Sequence, residues 1–257
     1  MRRLLLALLL TVACDSHALT VRLCTLDHPF PPHTMPDGSG QVQELLRLAA
    51  KEEGLVLENT VAPRLRCIAK LKSAEVDALL SAFLPERMAY GVFPMAGAVA
   101  DAARAVCEVR FIVYRQKGGK MQWDGHAFVG LDQRPFGIQT GLAVAQRLRQ
   151  TGVTVDEGAK TLEQNFEKLV RGRVQAVVAL EGESQPLIDR KFADQIEALS
   201  KAFDTVPLYL HVRTGYYARN QEAIDKLWSA VRRIRASAAF QQYLQRYGLT
   251  PADAVVR

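Results

Sequence analysis

A twelve-residue pattern occurs twice in this chain, at Lys70–Ser81 and Lys168–Ala179. Both copies open with Lys-Leu, carry Val at the seventh position (Val76, Val174) and Ala at the ninth (Ala78, Ala176). Each reads as a helix end, a tight turn and a buried strand. The copies lie 98 residues apart, at matching points of two βα-rich stretches, which predicts two similar α/β lobes. A chance match of common turn residues is the alternative. Two lobes leave a cleft between them, and clefts at domain interfaces hold small ligands.

Of the 257 residues 49% are apolar, enough for one large or two smaller packed cores and too many for a disordered chain. Met1-Arg2-Arg3 and the apolar run Leu4–Val12 have the charged start and short greasy stretch of a secretory signal, too short to span a bilayer. Cleavage after Ser16-His17-Ala18 makes residues 1–18 the signal peptide and Leu19 the mature start. Lipoprotein processing at Cys14 is the rival, although Thr11 stands where such boxes usually carry Leu. Either route predicts export to a bacterial periplasm.

Loss of Arg2, Arg3 and Asp15 leaves 31 basic and 26 acidic residues, a balance of +5. The cations are spread through the helices with no Lys/Arg block, which argues against a nucleic-acid partner. Three cysteines remain, Cys24, Cys67 and Cys107. An oxidising compartment permits one bridge among them and leaves one thiol; three separate buried thiols are the alternative. No Cys-x-x-Cys occurs, so zinc and redox motifs are not expected.

Alternation and helical spacing predict a strand over 19–26, a helix over 41–53 ended by Gly54, a strand over 55–61, a helix over 66–73 and a strand over 76–81. This β-α-β-α-β order predicts an α/β fold with a mainly parallel sheet. The loop His28-Pro29-Phe30-Pro31-Pro32-His33 can continue neither strand nor helix. Strands over 108–115 and 206–212 carry the chain out of the first lobe and back. Between them lie a strand over 136–139, helices over 141–150 and 162–170, and the second repeat's strand over 174–180. Lobe 1 is thus expected at 19–109 and 208–257 and lobe 2 at 110–207, with two strand crossovers forming a hinge.

Several motifs along the mature chain then combine. They are the Phe30-Pro31-Pro32 loop, Pro63-Arg64-Leu65-Arg66-Cys67, Val76-Asp77-Ala78 leading to Ser81, and Pro85-Glu86-Arg87 followed by Phe93-Pro94. Gly137-Ile138-Gln139-Thr140-Gly141, Gly172-Arg173-Val174 and the ending Phe240–Gly248 complete them. In this order they resemble the periplasmic solute-binding proteins of the type II, amino-acid-binding-like family (bacterial extracellular solute-binding protein family 3). The resemblance implies a two-lobed periplasmic-binding-protein-like type II fold that closes on a small polar, carboxylate-bearing solute. It also implies a monomer, no cofactor, and delivery of the ligand to an inner-membrane ABC permease. A sensor or partner protein of the same fold is the alternative.

The resemblance places Arg87 where a guanidinium clamps a ligand carboxylate in a bidentate fork, with Ser81 at the other end of the same loop. A solvated helix-start pair, Glu86-Arg87, is the competing view. Phe83 stands where a hydroxyl is common, in a loop one residue short of the family's form. Thr140 and Gly141 are expected where a strand meets a helix, offering N–H groups to an anion or serving as an ordinary cap. Phe30 and His33 form a ligand wall or pack beneath the prolines. Arg64, which stands where relatives often have Trp, makes with Arg66 and Arg87 a basic cleft suited to an anionic ligand, or else is a solvated helix-start arginine, the default for Arg64. Gln175 and Leu180 interrupt the pattern that supplies an ammonium-binding Asp, leaving Glu181 as the nearest acid. A subgroup with cysteines at these places suggests a Cys24–Cys67 bridge.

An enzyme is the other class considered, for instance a dehydratase on the same fold. Ser81 and the cysteines have no base beside them in sequence, and His28 and His33 have no third ligand at metal-site spacing. A non-enzyme is therefore expected.

Overall fold

The structure is a computed structural model that describes residues 18–246. The signal segment, with its rival lipidation site Cys14, lies outside the described residues up to His17, as does the tail beyond Arg246.

The chain begins β1 (Thr20–Leu26), α1 (Gln41–Glu52), β2 (Val56–Ala62), α2 (Arg64–Lys72) and β3 (Ala78–Ala82). The short β4 (Gly91–Val92) and the hairpin of β5 (Met95–Ala96) and β6 (Val99–Ala100) lead into the long β7 (Cys107–Gln116). A second hairpin, β8 (Gln122–Trp123) with β9 (Phe128–Val129), precedes β10 (Phe136–Gly137), α3 (Ala145–Gln150) and β11 (Val155–Asp156). Then come α4 (Leu162–Val170), β12 (Ala176–Leu180), α5 (Glu181–Leu187), β13 (Ile196–Ala198) and the long β14 (Asp204–Arg213). Three helices close the described chain: α6 (Thr214–Tyr217), α7 (Gln221–Arg235) and α8 (Ala238–Arg246).

β2, β1 and β3 lie side by side and parallel, as do β11, β10 and β12. β7 and β14 tie the two trios into one sheet. β14 runs antiparallel to β3 through Leu208–Val212, and β7 antiparallel to β12 through Phe111–Tyr114. Between these stretches the two long strands pair with each other, from Asp204↔Phe111 to Leu208↔Cys107. The fold is thus an α/β, two-lobed one, each trio with its own helices and the lobes meeting where β7 and β14 cross.

Burial explains the helices. On α1, Val42, Leu45, Leu46 and Ala49 share one buried face, and on α7 so do Ile224, Leu227, Trp228 and Val231. Each large apolar side chain so buried contributes roughly 1.5–3 kcal/mol. Trp228 also donates from Nε1 to the Leu210 carbonyl at 3.0 Å, so its one polar atom is not left unpaired. On the other trio, Leu162, Phe166 and Leu169 of α4 pack with Tyr114 and Val177.

The repeat is one structural device used twice. Ala74 and Gly172, each fifth in its copy, both take the left-handed conformation, at φ 63° and 66°. The Ala74 and Gly172 N–H groups donate to Leu71 and Leu169, and those of Glu75 and Arg173 donate to Lys70 and Lys168. Both helices therefore end in the paired hydrogen bonds of a Schellman motif, which aims the chain into β3 and β12. The eighth position pins each turn. Asp77 accepts from the Arg22 Nε and Nη2 at 2.8 Å each and from Arg213 Nη2 at 3.1 Å. Gln175 instead accepts from the Asp132 N–H and donates to the Gly130 carbonyl.

Two local expectations need correction. The helix expected from Gly141 starts at Ala145, because Gly141 adopts φ 84° and an irregular turn intervenes. Glu181, expected as the acid nearest the ligand, opens the helix α5 directly after β12 and pairs with Arg110 instead.

Candidate functional site

The cleft between the lobes encloses a cavity of about 90 Å³. One wall comes from the carboxyl ends of β1 and β3, the start of α2 and Phe30; the other comes from Gly141–Ala143 and Leu180. Ligands of open α/β sheets bind at these strand ends. Cys24 and Cys67 line the cavity and are joined in a disulfide with Cα atoms 5.6 Å apart. It ties the end of β1 to the first turn of α2. Closing a loop of this sequence separation of 43 residues is worth about 4 kcal/mol in the chain-entropy picture. Cys107 is a buried free thiol, and burial pushes its pKa far up.

Arg87 is the charged centre of the cavity. It stands on the single turn Pro85–Ala89 that follows β3. Nη1 donates to Ser81 Oγ at 2.6 Å and to the Ala82 carbonyl at 2.9 Å, and Nη2 donates across the cleft to the Gly141 carbonyl at 2.9 Å. These use three of the five N–H groups of a guanidinium. Among the described residues no carboxylate lies within ion-pair distance of it. Burial lowers its pKa from the ordinary arginine value, with Arg64 adding to the effect. A guanidinium held by neutral acceptors keeps an unbalanced positive charge, which in a half-dry site attracts an anion.

A second set of charges spans the cleft beside it. Glu183 of α5 is buried and forms an ion pair with Arg64 at the start of α2, and His28 Nε2 lies 3.7 Å from the same carboxylate. Burial alone would raise the Glu183 pKa, but the Arg64 charge and the His28 bond bring it below the ordinary carboxylate value. The hydrogen bond to Glu183 raises His28 above its usual value in turn, against the opposing effect of burial. This triad joins one lobe to the other.

The expected site residues divide between these places. Ser81, Phe30, Arg87 and Gly141 line the cavity. Gly141 offers its carbonyl to Arg87 rather than an N–H group to an anion. Thr140 is exposed and donates to the Glu157 carbonyl at 2.9 Å. His33 is buried beside Phe30, with ring centroids 4.9 Å apart, and its Nδ1 meets Gln41 Nε2 at 3.0 Å. Arg66 is exposed. Glu181 pairs with Arg110 at 3.1 Å and lines a separate outer groove of about 570 Å³, together with His33. Of the cleft-spanning residues, Arg64 has the cleft as the alternative to its solvated default in sequence reasoning, whereas His28 and Glu183 are not expected there. The signal for Arg64 was its position just after Pro63, where the first turn of a helix faces a neighbouring strand end.

Among the described residues no cluster of three or more His, Cys, Asp or Glu side chains could hold a metal ion, and no helix is long and apolar enough to cross a membrane.

No family model matches the chain, and neither does any curated protein. Solved structures match it along most of its length. A histidine kinase sensor domain with similarity to periplasmic binding proteins superposes with a TM-score of 0.69 at 15% identity, over 90% of this chain and 96% of the other. An ancestral arginine-binding protein bound to glutamine gives 0.67 at 21%, over 89% and 98%. The GluR0 ligand-binding core from Nostoc punctiforme in complex with L-glutamate gives 0.62 at 15%, again over 89% and 98%. Identities this low carry the architecture alone, and that architecture is the two-lobed one these binding and sensor domains share.

Proposed function

We propose that this chain is a periplasmic binding protein whose lobes, 19–109 with 208–257 and 110–207, close on a small carboxylate-bearing solute. β7 and β14 are the hinge: β14 pairs with β3 of one trio, β7 with β12 of the other, and the two long strands pair with each other between them. One observation carries the reading: Arg87, enclosed in the cleft and bonded to both walls, has neutral partners only. A bound carboxylate on its remaining N–H groups supplies the missing negative charge and ties both lobes together. Closure is then a shift between open and closed forms, paid for by contacts made only when both walls touch the ligand.

The same reading favours binding over catalysis. His28 and Glu183, the histidine and carboxylate behind Arg64 of the cavity wall, are engaged with each other and with Arg64. The ligand's destination in this reading is an inner-membrane ABC permease. Of the similar structures, one is the substrate-binding protein of an amino acid ABC transporter.

The experiment is thermal unfolding of the purified mature protein, stripped of bound solute by unfolding and refolding, with a panel of amino acids, organic acids and amines. A ligand at about 100 times its Kd adds roughly 2.7 kcal/mol and raises Tm by several degrees. A selective rise with a carboxylate, the compound being recovered unchanged, supports the proposal. No rise with any carboxylate, or conversion of the compound, contradicts it. Uptake of the ligand by cells lacking the protein tests the transport step separately.

A further inference from the structure

The cavity walls carry two charged side chains, both arginines, and no carboxylate. Arg64 is already neutralised by Glu183, whose carboxylate also faces His28. Glu181, the other acid nearby, is half-buried, lines the outer groove and is paired with Arg110. The neutral acceptors around Arg87 are already engaged. Ser81 Oγ, the Ala82 carbonyl and the Gly141 carbonyl all receive protons from Arg87. Much of the remaining lining is apolar, including Phe30, Ile68, Val109, Phe111, Leu142 and Leu180.

A ligand carboxylate is met by Arg87, but an ammonium group finds no carboxylate in the lining, only apolar carbon and neutral hydroxyl and carbonyl oxygens, three of them already bonded to Arg87. Burying an unpaired ammonium costs far more than a methylene in the same place contributes. We propose that the cleft selects small carboxylic acids that lack an α-ammonium group, with an aliphatic or aromatic tail against the apolar walls. The inference rests on the carboxylate-binding reading and narrows it to one ligand class. Size sets a further bound. A cavity of about 90 Å³ keeps the tail small, as in butyrate, isovalerate or benzoate.

Matched compounds test this by titration calorimetry of the purified mature protein at pH 7.5. The pairs are butyrate with 2-aminobutyrate and isovalerate with valine; benzoate tests the aromatic tail and isobutylamine is a cation of similar bulk. At least one carboxylate is expected to bind at least about tenfold tighter than its amino acid, with no detectable heat from the amine. The Arg87→Lys and Arg87→Gln variants are expected to weaken that carboxylate, Gln more than Lys. An amino acid binding as tightly as its carboxylate, and weakened in Arg87→Gln, overturns the inference while the carboxylate-binding reading survives. Heat from the amine alone, or from none of the compounds, overturns both.

Discussion

Arg87 and Gly141 meet across the cleft, the guanidinium Nη2 donating to the glycine carbonyl at 2.9 Å. The contact depends on two backbone choices made far apart in the sequence. Pro85 starts the turn that carries Arg87, and Gly141 takes a left-handed φ of 84° in the turn whose carbonyl receives the bond. A Cβ at Gly141 would also lie 3.1 Å from Leu65 Cδ2. Glycine is thus suited to the position on both counts.

The Glu183 triad is a second tie between the lobes. Glu183→Ala is expected to leave the Arg64 charge without its partner in a partly buried site, lowering stability by about 3 kcal/mol. Urea unfolding of the variant measures it. A double-mutant cycle with Arg64→Ala separates the pair's coupling from the cost of an orphaned charge. A loss below 0.5 kcal/mol, by the range seen for exposed pairs, would place the pair among surface contacts.

His28 gives that tie a pH dependence. Its pKa is raised in the folded protein, chiefly by the bond to Glu183, so its contribution is complete below the ordinary value of 6.5. The contribution is lost as pH rises through the folded value. The stability difference between wild type and His28→Gln is therefore expected to be larger at pH 6 than at pH 9, as read by denaturant midpoints.

His211 acts with the opposite sign. It is buried on β14, stacked on Phe93 at 4.1 Å, and burial followed by the Arg87 charge lowers its pKa to about 4. The unfolded chain takes up a proton near 6.5 that the folded chain refuses until about pH 4. Stability from this residue is present above 6.5 and falls between those values, by about 3 kcal/mol in total. His211→Leu is expected to flatten the acid limb of the stability curve relative to wild type. An unchanged slope between pH 6.5 and 4 contradicts the assignment.

The repeat supplies a backbone test. Ala74 holds φ 63°, where Gly172 stands in the second copy at φ 66°. Left-handed backbone is costly for alanine and free for glycine, so Ala74→Gly is expected to stabilise by about 1 kcal/mol and Gly172→Ala to destabilise by a similar amount. Chemical denaturation of the two variants measures both signs.

The repeat and the alternating strands made the architecture readable from sequence, because each element's burial pattern is periodic and local. α4 spans 162–170 as spacing predicted, and the two long strands lie within two residues of their expected starts. The site was less readable because it depends on rotation and on chain folds with no local period. Arg64 and Arg66 differ by two residues, roughly 200° around a helix, so one lines the cleft and the other meets solvent. Glu181 and Glu183 differ likewise. A helix that starts at Glu181 turns the first acid toward Arg110 and the second into the cleft. The sequence Glu-Gly-Glu-Ser-Gln-Pro contains a helix-breaking pair and hides that helix from a propensity argument.

The central claim is that Arg87 binds a carboxylate between the lobes. It is tested most directly by titrating wild type and Arg87→Ala with the tightest carboxylate ligand found, circular dichroism confirming that the variant is folded. The expected result is at least a tenfold loss of affinity, since a charge-assisted bond in such a site is worth roughly 1.5–3 kcal/mol. Equal affinity in the folded variant would contradict the account.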